Sequence, residues 1–300
     1  MSVSDHTEDT RWGFEEGDEI VPGRFALEKL GGGYQYEAYL AWDDHLFSLV
    51  VVKLVRPHLV EDEHAIRSLA REAEILETLN HPVIVRSFGA VLERPRPHLV
   101  LEHLEGNTLS HAIKKMGPLA PDQLLPLAYQ VCSALQYLAN MEMVHLDVKP
   151  RNIVMTAPPR LIDLSVARSI EAAARITGPI GTDAYMAPEQ CDPSLAAVGP
   201  AVDVFGLGAT LYHAVSGEVP FPRPKDHDAS DPAQRFPQLV EPPFPLPDEV
   251  PAQISDLVMR CMAGPPAARP TAADVAAELD ALILELPRRR ILGRARPKIF

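Results

Sequence analysis

The chain has 300 residues, enough for one two-lobed domain or two small ones, and its net charge of −13 argues against broad nucleic-acid or membrane binding as the main task. Hydrophobic residues make up 46% of it and aromatics only 6%, which implies a large aliphatic core, while no apolar run reaches the length of a membrane span. Cys132, Cys191 and Cys261 are scattered and without metal spacing, so a soluble protein of the reducing cytoplasm is expected rather than a disulfide framework.

In chain order, residues 1–22 are acidic and short of aliphatic side chains, and a flexible leader is predicted there. The fold is predicted to begin at Gly23-Arg24-Phe25. Residues 25–30 run into Gly31-Gly32-Gly33, and strand character resumes at Tyr39-Leu40-Ala41-Trp42, which reads as a hairpin with a glycine-rich tip. Glycines let backbone N–H groups close over phosphates with no Cβ in the way. The run Val50-Val51-Val52-Lys53-Leu54-Val55 contains a lysine that is expensive in a strand unless it meets a charge or points to solvent from an edge. Residues 61–79 carry Ile66, Leu69, Ala73, Leu76 and Leu79 at helical spacing, with Glu72 and Glu74 as possible partners for that lysine. Pro121-Asp122 opens a long helix whose buried stripe is Leu124, Leu127, Ala128, Val131, Leu135 and Leu138.

That helix delivers the chain to His145-Leu146-Asp147-Val148-Lys149-Pro150-Arg151-Asn152. A carboxylate, an ammonium and an amide stand there at positions i, i+2 and i+5, and Asp163 follows an apolar run. The set suits phosphoryl transfer from Mg-ATP: Asp147 can orient and deprotonate a hydroxyl, Lys149 can neutralise the moving phosphoryl group, and Asn152 with Asp163 can hold Mg²⁺. Further on come Gly181-Thr182-Asp183-Ala184-Tyr185-Met186-Ala187-Pro188-Glu189 and a predicted buried helix from Ala201 to about Val215. Prolines crowd residues 219–251, so regular structure is expected to be sparse there. Helices are predicted at 252–262 and from a Thr271/Asp274 cap to about Leu286. The tail 287–300 is basic; a solvated tail, docking on the acidic body, an anionic partner and a pseudosubstrate role all remain open.

Over residues 24–286 these motifs resemble the eukaryotic-like serine/threonine protein kinases of bacteria. The resemblance implies an α+β bilobal fold: a small five-stranded antiparallel sheet with one main helix (αC) in an N-lobe of residues 23–103, and a mainly helical C-lobe of residues 104–286. It implies ATP with Mg²⁺, or alternatively Mn²⁺, in the cleft, and proteins bearing Ser or Thr as substrates. Lys53 would contact the α/β-phosphates and pair with Glu72, favoured over Glu74 by register. Gly31 and Gly33 would cover the phosphates, and Ala38 and Val51 would sandwich the adenine. Leu101 would gate the back pocket, and the backbone of Glu102 and Leu104 would bond the adenine edge, with little demand on their side chains. Thr182 would bridge Asp147 and Lys149, Glu189 would pair with Arg269, and Asp203 would brace the catalytic loop from behind.

Several positions depart from the family pattern. Tyr36 stands where a third glycine belongs. Ala38 and Val51 exchange the family's Val and Ala, which keeps the volume of the slot. Asp163-Leu164-Ser165 replaces D-F-G, so the segment is expected to flip less readily. Leu146 replaces an arginine that helps to clamp an activation-segment phosphate, although Arg168 matches a second basic position. Activity is therefore expected to depend little on phosphorylation of Thr177 or Ser169. A pseudokinase scaffold and a small-molecule phosphotransferase remain as alternatives.

Overall fold

The computed structural model describes residues 11–224 and 231–286. The first ten residues, residues 225–230 and the basic tail 287–300, with the docking roles considered for it, lie outside the described residues.

Six antiparallel strands form the N-terminal sheet: β1 (Glu19–Val21), β2 (Arg24–Gly32), β3 (Tyr36–Asp43), β4 (Ser48–Val55), β5 (Ser87–Val91) and β6 (His98–Glu102). Their spatial order is β1-β2-β3-β4-β6-β5. Side chains alternate along β4, so Val50, Val52 and Leu54 face one way while Val51, Lys53 and Val55 face the other. Helix α1 (Glu63–Thr78) covers the second set. It is capped by Asp62, whose carboxylate accepts from the Ala65 N–H at 2.7 Å. Ala65, Leu69, Ala73 and Leu76 of α1 share one core with Val55, Leu99 and Leu101 of the sheet.

The other face of the sheet departs from the sequence reading. Ile20 and Val21, with the half-buried rings of Trp12 and Phe14, close over Val50, Val52, Leu54, Tyr39 and Val100. The Trp12 indole N–H donates to the Val55 carbonyl at 2.8 Å, and the Arg96 guanidinium lies over both rings, 5.5 Å from Trp12 and 4.9 Å from Phe14. Residues 11–22 are thus no flexible leader, and the sheet has six strands instead of five. Glu15, Glu16, Asp18 and Glu19 stay exposed while the apolar side chains among them turn inward, so average composition conceals the packing.

The second lobe is helical: α2 (Leu109–Met116), α3 (Pro121–Asn140), the single turns α4 (Ile170–Ala173) and α5 (Pro188–Cys191), α6 (Ala201–Ser216), the turn α7 (Pro232–Arg235), α8 (Ala252–Cys261) and α9 (Ala272–Glu285). The predicted stripe of α3 is buried, and α3 packs against α6 and α9. Helix α6 is buried on nearly every side, from Val202 through Phe205 to Ala214, and is mainly apolar, as a central helix is. Thr271 and Asp274 cap α9 reciprocally. Among the described residues of the proline-rich segment, only α7 and a 3-10 turn at Pro237–Leu239 are regular. No helix among the described residues is long and apolar enough to cross a membrane.

Candidate active site

The loop after α3 is held from beneath. Asp203, on the first turn of α6, is buried and accepts from the backbone N–H groups of His145 at 2.7 Å and Leu146 at 2.8 Å. Leu146 has φ +69°, a left-handed conformation that costs a residue with a Cβ about 1–2 kcal/mol. The fold over-determines it: the Leu146 side chain is buried in the core, and its carbonyl accepts from the Gln190 side-chain amide at 2.8 Å. Gly206 of α6 passes directly below, where a Cβ would lie 2.9 Å from the Val148 carbonyl oxygen.

On this support Asp147, Lys149 and Thr182 close a ring of short bonds. Thr182 Oγ1 donates to Asp147 Oδ1 at 2.7 Å, and Lys149 Nζ donates to Asp147 Oδ2 and to Thr182 Oγ1, both at 2.6 Å. The Asn152 amide nitrogen donates to the Asp147 carbonyl at 2.9 Å and to its carboxylate at 3.2 Å. Thirty-five residues separate Asp147 from Thr182, so the ring exists only because the 166–189 segment folds back over the loop.

A second cluster faces it from the sheet. Lys53 Nζ donates to both Glu72 oxygens, at 3.0 and 2.7 Å, and to Asp163 Oδ1 at 3.0 Å. Glu74 is exposed. Burial pulls the Lys53 pKa down, but the two carboxylates outweigh it and hold the ammonium charged, above its ordinary range. Burial likewise raises the Asp163 carboxyl, and the Lys53 ammonium overcomes this to hold it well below the usual carboxylate range. At Glu72 burial pushes the carboxyl up, against the opposing Lys53 charge. Asp163 has φ +65°, a second strained non-glycine residue beside the first cluster. Leu164 is fully buried in the main core, so leucine fills the apolar slot that the D-F-G comparison assigns to phenylalanine.

Ala38 pairs with Lys53, and Val51 lies two residues along the same strand, so all three share the face that looks into the cleft. Gly31 takes φ +149°, where a side chain would be strained, and Gly33 sits in open space at the turn. Leu101 is buried behind them, Leu104 is half-buried, and the Glu102 N–H is occupied by the Arg86 carbonyl at 2.9 Å.

The Glu102 side chain, on which the adenine-edge role makes little demand, has a structural role. Its buried carboxylate accepts from the Arg86 backbone N–H at 2.8 Å and from the Arg86 guanidinium at 3.0 and 3.2 Å. Arg160 Nε lies 3.4 Å away, a charge contact rather than an aligned hydrogen bond. Neither arginine shows in the sequence, because partners 16 and 58 residues away leave no local pattern.

Residues 25–279 match the family model described as protein kinase domain. The chain is 32% identical over 260 residues to the serine/threonine-protein kinase PknB of Mycobacterium leprae, covering 83% of this chain and 41% of that protein. It is 33% identical over 266 residues to the probable serine/threonine-protein kinase PkwA of Thermomonospora curvata, covering 86% of this chain and 34% of the relative. With the serine/threonine-protein kinase PrkC of Bacillus subtilis the identity is 31% over 206 residues, covering 67% and 32% of the two chains. The chain belongs to the protein kinase family. The matched stretches span less than half the length of these relatives.

Membership in the kinase family implies ATP and a divalent cation, and the donor chemistry fits both. Asn152 spends its amide nitrogen on Asp147, while its amide oxygen has no hydrogen bond among the described residues. Asp163 is held ionised and is 39% exposed at its side chain, so it can take a cation. No group of three or more His, Cys, Asp or Glu side chains forms a metal cage among the described residues. Mg²⁺ is ordinarily bound by one or two carboxylates together with substrate phosphates, so the kinase domain needs no such cage.

Proposed function

We propose that this domain transfers the γ-phosphoryl group of ATP, bound with Mg²⁺, to serine and threonine hydroxyls of proteins, its own chain among them. The observation that carries the reading is the ring of Asp147, Thr182 and Lys149, closed by bonds of 2.6–2.7 Å. The carboxylate that would orient the acceptor hydroxyl is aimed by the segment on which the acceptor peptide would lie. The ammonium that would offset phosphoryl charge is anchored to the same carboxylate. Lys53 would grip the α- and β-phosphates with its charge already fixed by Glu72. Asn152 and Asp163 would hold the Mg²⁺, which supplies neutralisation of the phosphate charge when bound. Ala38 and Val51 would enclose the adenine. With the Glu102 N–H used inside the sheet, the N–H needed at the adenine edge falls to Leu104. Three buried free cysteines support a reducing, cytoplasmic setting.

The test is phosphate transfer from labelled Mg-ATP to the protein itself and to a generic protein acceptor. Wild type should label Ser and Thr, and Asp147→Asn should lose at least about 10³-fold in turnover, the scale on which orientation and proton transfer act together. Binding of ATP with no transfer by wild type would replace this reading with that of a nucleotide-binding scaffold.

A further inference from the structure

Tyr36 stands in the glycine-rich hairpin where a small residue would give the loop its freedom, and its side chain points inward. It opens β3 and is buried. Its hydroxyl donates to the Ala65 carbonyl of α1 at 3.1 Å, and its ring centroid lies 4.8 Å from Lys53 Nζ. The Ala65 carbonyl has two lone pairs, so the phenol can bond it without displacing the helix's own hydrogen bond. One turn along α1, the Ser68 hydroxyl donates to the Ser165 carbonyl at 3.4 Å, and Ser68 also neighbours the Tyr36 phenol. A second link joins the same parts, since the Gln35 amide reaches the His64 ring at 3.2 Å. The turn is fastened from the other side by Arg56, whose Nε donates to the Gly33 carbonyl at 2.7 Å.

We infer that Tyr36 is a positioning residue: it ties helix α1 to the glycine-rich hairpin and thereby keeps Glu72 on Lys53 while the ring packs against the lysine. Glu72 reaches Lys53 only when α1 lies against the sheet. Tyr36 fixes the first turns of α1 from above, and Ser68 fixes them to the Asp163-Leu164-Ser165 segment from below. A glycine at this position offers α1 nothing to hold. The substitution therefore exchanges loop freedom for a preassembled cluster, and this inference rests on the phosphoryl-transfer reading only for its kinetic consequence.

The test compares wild type, Tyr36→Phe and Tyr36→Gly in the full chain. It measures kcat, KM for ATP, and hydrogen exchange of the backbone amides of α1 and α6. Tyr36→Phe keeps the ring over Lys53 and removes only the bond to Ala65. It should lower kcat about five-fold, the ratio that one lost hydrogen bond supports, and leave KM for ATP within about two-fold. Exchange should rise in α1, most strongly around residues 65–69, and stay unchanged in α6. Tyr36→Gly should exceed both effects. Wild-type kcat and exchange in Tyr36→Phe, or a Tyr36→Gly protein faster than wild type, would overturn the inference. So would faster exchange in α6 along with α1, because the tyrosine would then be a general stabiliser. The exchange arm needs no phosphoryl transfer, so failure of the transfer reading and failure of this one are distinguishable.

Discussion

Two of the buried ion pairs among the described residues serve different ends. Arg269 and Glu189 meet in a bidentate pair at 2.6 and 2.8 Å, with side chains 0% and 2% exposed. The remaining donors of Arg269 go to the carbonyls of Ala263, Gly264 and Ala201, and its plane lies over the Phe205 ring. All five guanidinium N–H groups are thus spent on the protein. Lys53 and Glu72 meet as closely, but the third bond of the ammonium goes to Asp163, which is partly exposed and strained at φ +65°. A pair whose donors end on backbone carbonyls is closed. A pair whose last donor ends on an open carboxylate at a cleft has a partner that a phosphate or a cation can take over. On the proposed function, the closed pair is scaffold and the open pair is machinery.

The largest effect should come from opening the closed pair. Arg269→Met leaves Glu189 buried with no counter-charge and should cost about 3–5 kcal/mol of stability. For a domain of this size that lowers the thermal midpoint by about 6–20 °C, readable by calorimetry. A shift of a degree or two would mean that Glu189 neutralises or relaxes to water, and the comparison would lose its structural half. Glu72→Gln should act in the opposite proportion. Lys53 keeps Asp163, so the thermal shift should be the smaller of the two. Turnover should fall about 10–100-fold, or about 1.4–2.7 kcal/mol of transition-state stabilisation, measured as kcat at saturating Mg-ATP. Equal thermal loss in both variants with turnover intact in Glu72→Gln would erase the distinction.

What could be read from sequence follows the same division. Asp147, Lys149, Asn152 and Asp163 are legible because their chemistry demands particular residue types within a short span. For Glu72, helical spacing leaves two glutamates and only register with the family favours it; the structure buries Glu72 and exposes Glu74. The strap of Trp12, Phe14, Ile20 and Val21 is not, since four acidic residues dominate the composition around it. A signal was nevertheless present: an unbroken apolar run at Val50-Val51-Val52 needs cover on both faces, and α1 can cover only one. Arg86 and Arg160 on Glu102 leave no such trace. Neither does Glu37, a fully buried carboxylate that collects Lys29 of β2, the Tyr39 hydroxyl of β3, Arg56 just past β4 and the Trp12 backbone N–H of the strap. Long-range polar contacts of this kind are set by topology, and a linear pattern does not encode them.

The smallest effect asks whether the open pair needs help from outside. The family resemblance places at the position of Leu146 an arginine that helps to clamp an activation-segment phosphate. Here Leu146 is sealed in the core and offers no charge. Arg168 remains, half-buried, its guanidinium donating to the Ala167 carbonyl at 2.8 Å; burial and the neighbouring Arg71 charge hold its pKa below the ordinary arginine range. Two like charges that disfavour each other would welcome a phosphate, yet the helix carrying Arg71 is already held at Ala65, Ser68 and Glu72. A phosphate on exposed Thr177 therefore has little left to assemble. Thr177→Ala should keep turnover within about two-fold of wild type, under about 0.5 kcal/mol, in the same transfer assay with both proteins as prepared, and phosphatase treatment of wild type should change its turnover as little. Loss of most turnover in Thr177→Ala, matched by an equal loss in phosphatase-treated wild type, would make Arg71 and Arg168 a working phosphate clamp. The Lys53–Glu72 pair would then be conditional on modification rather than built in.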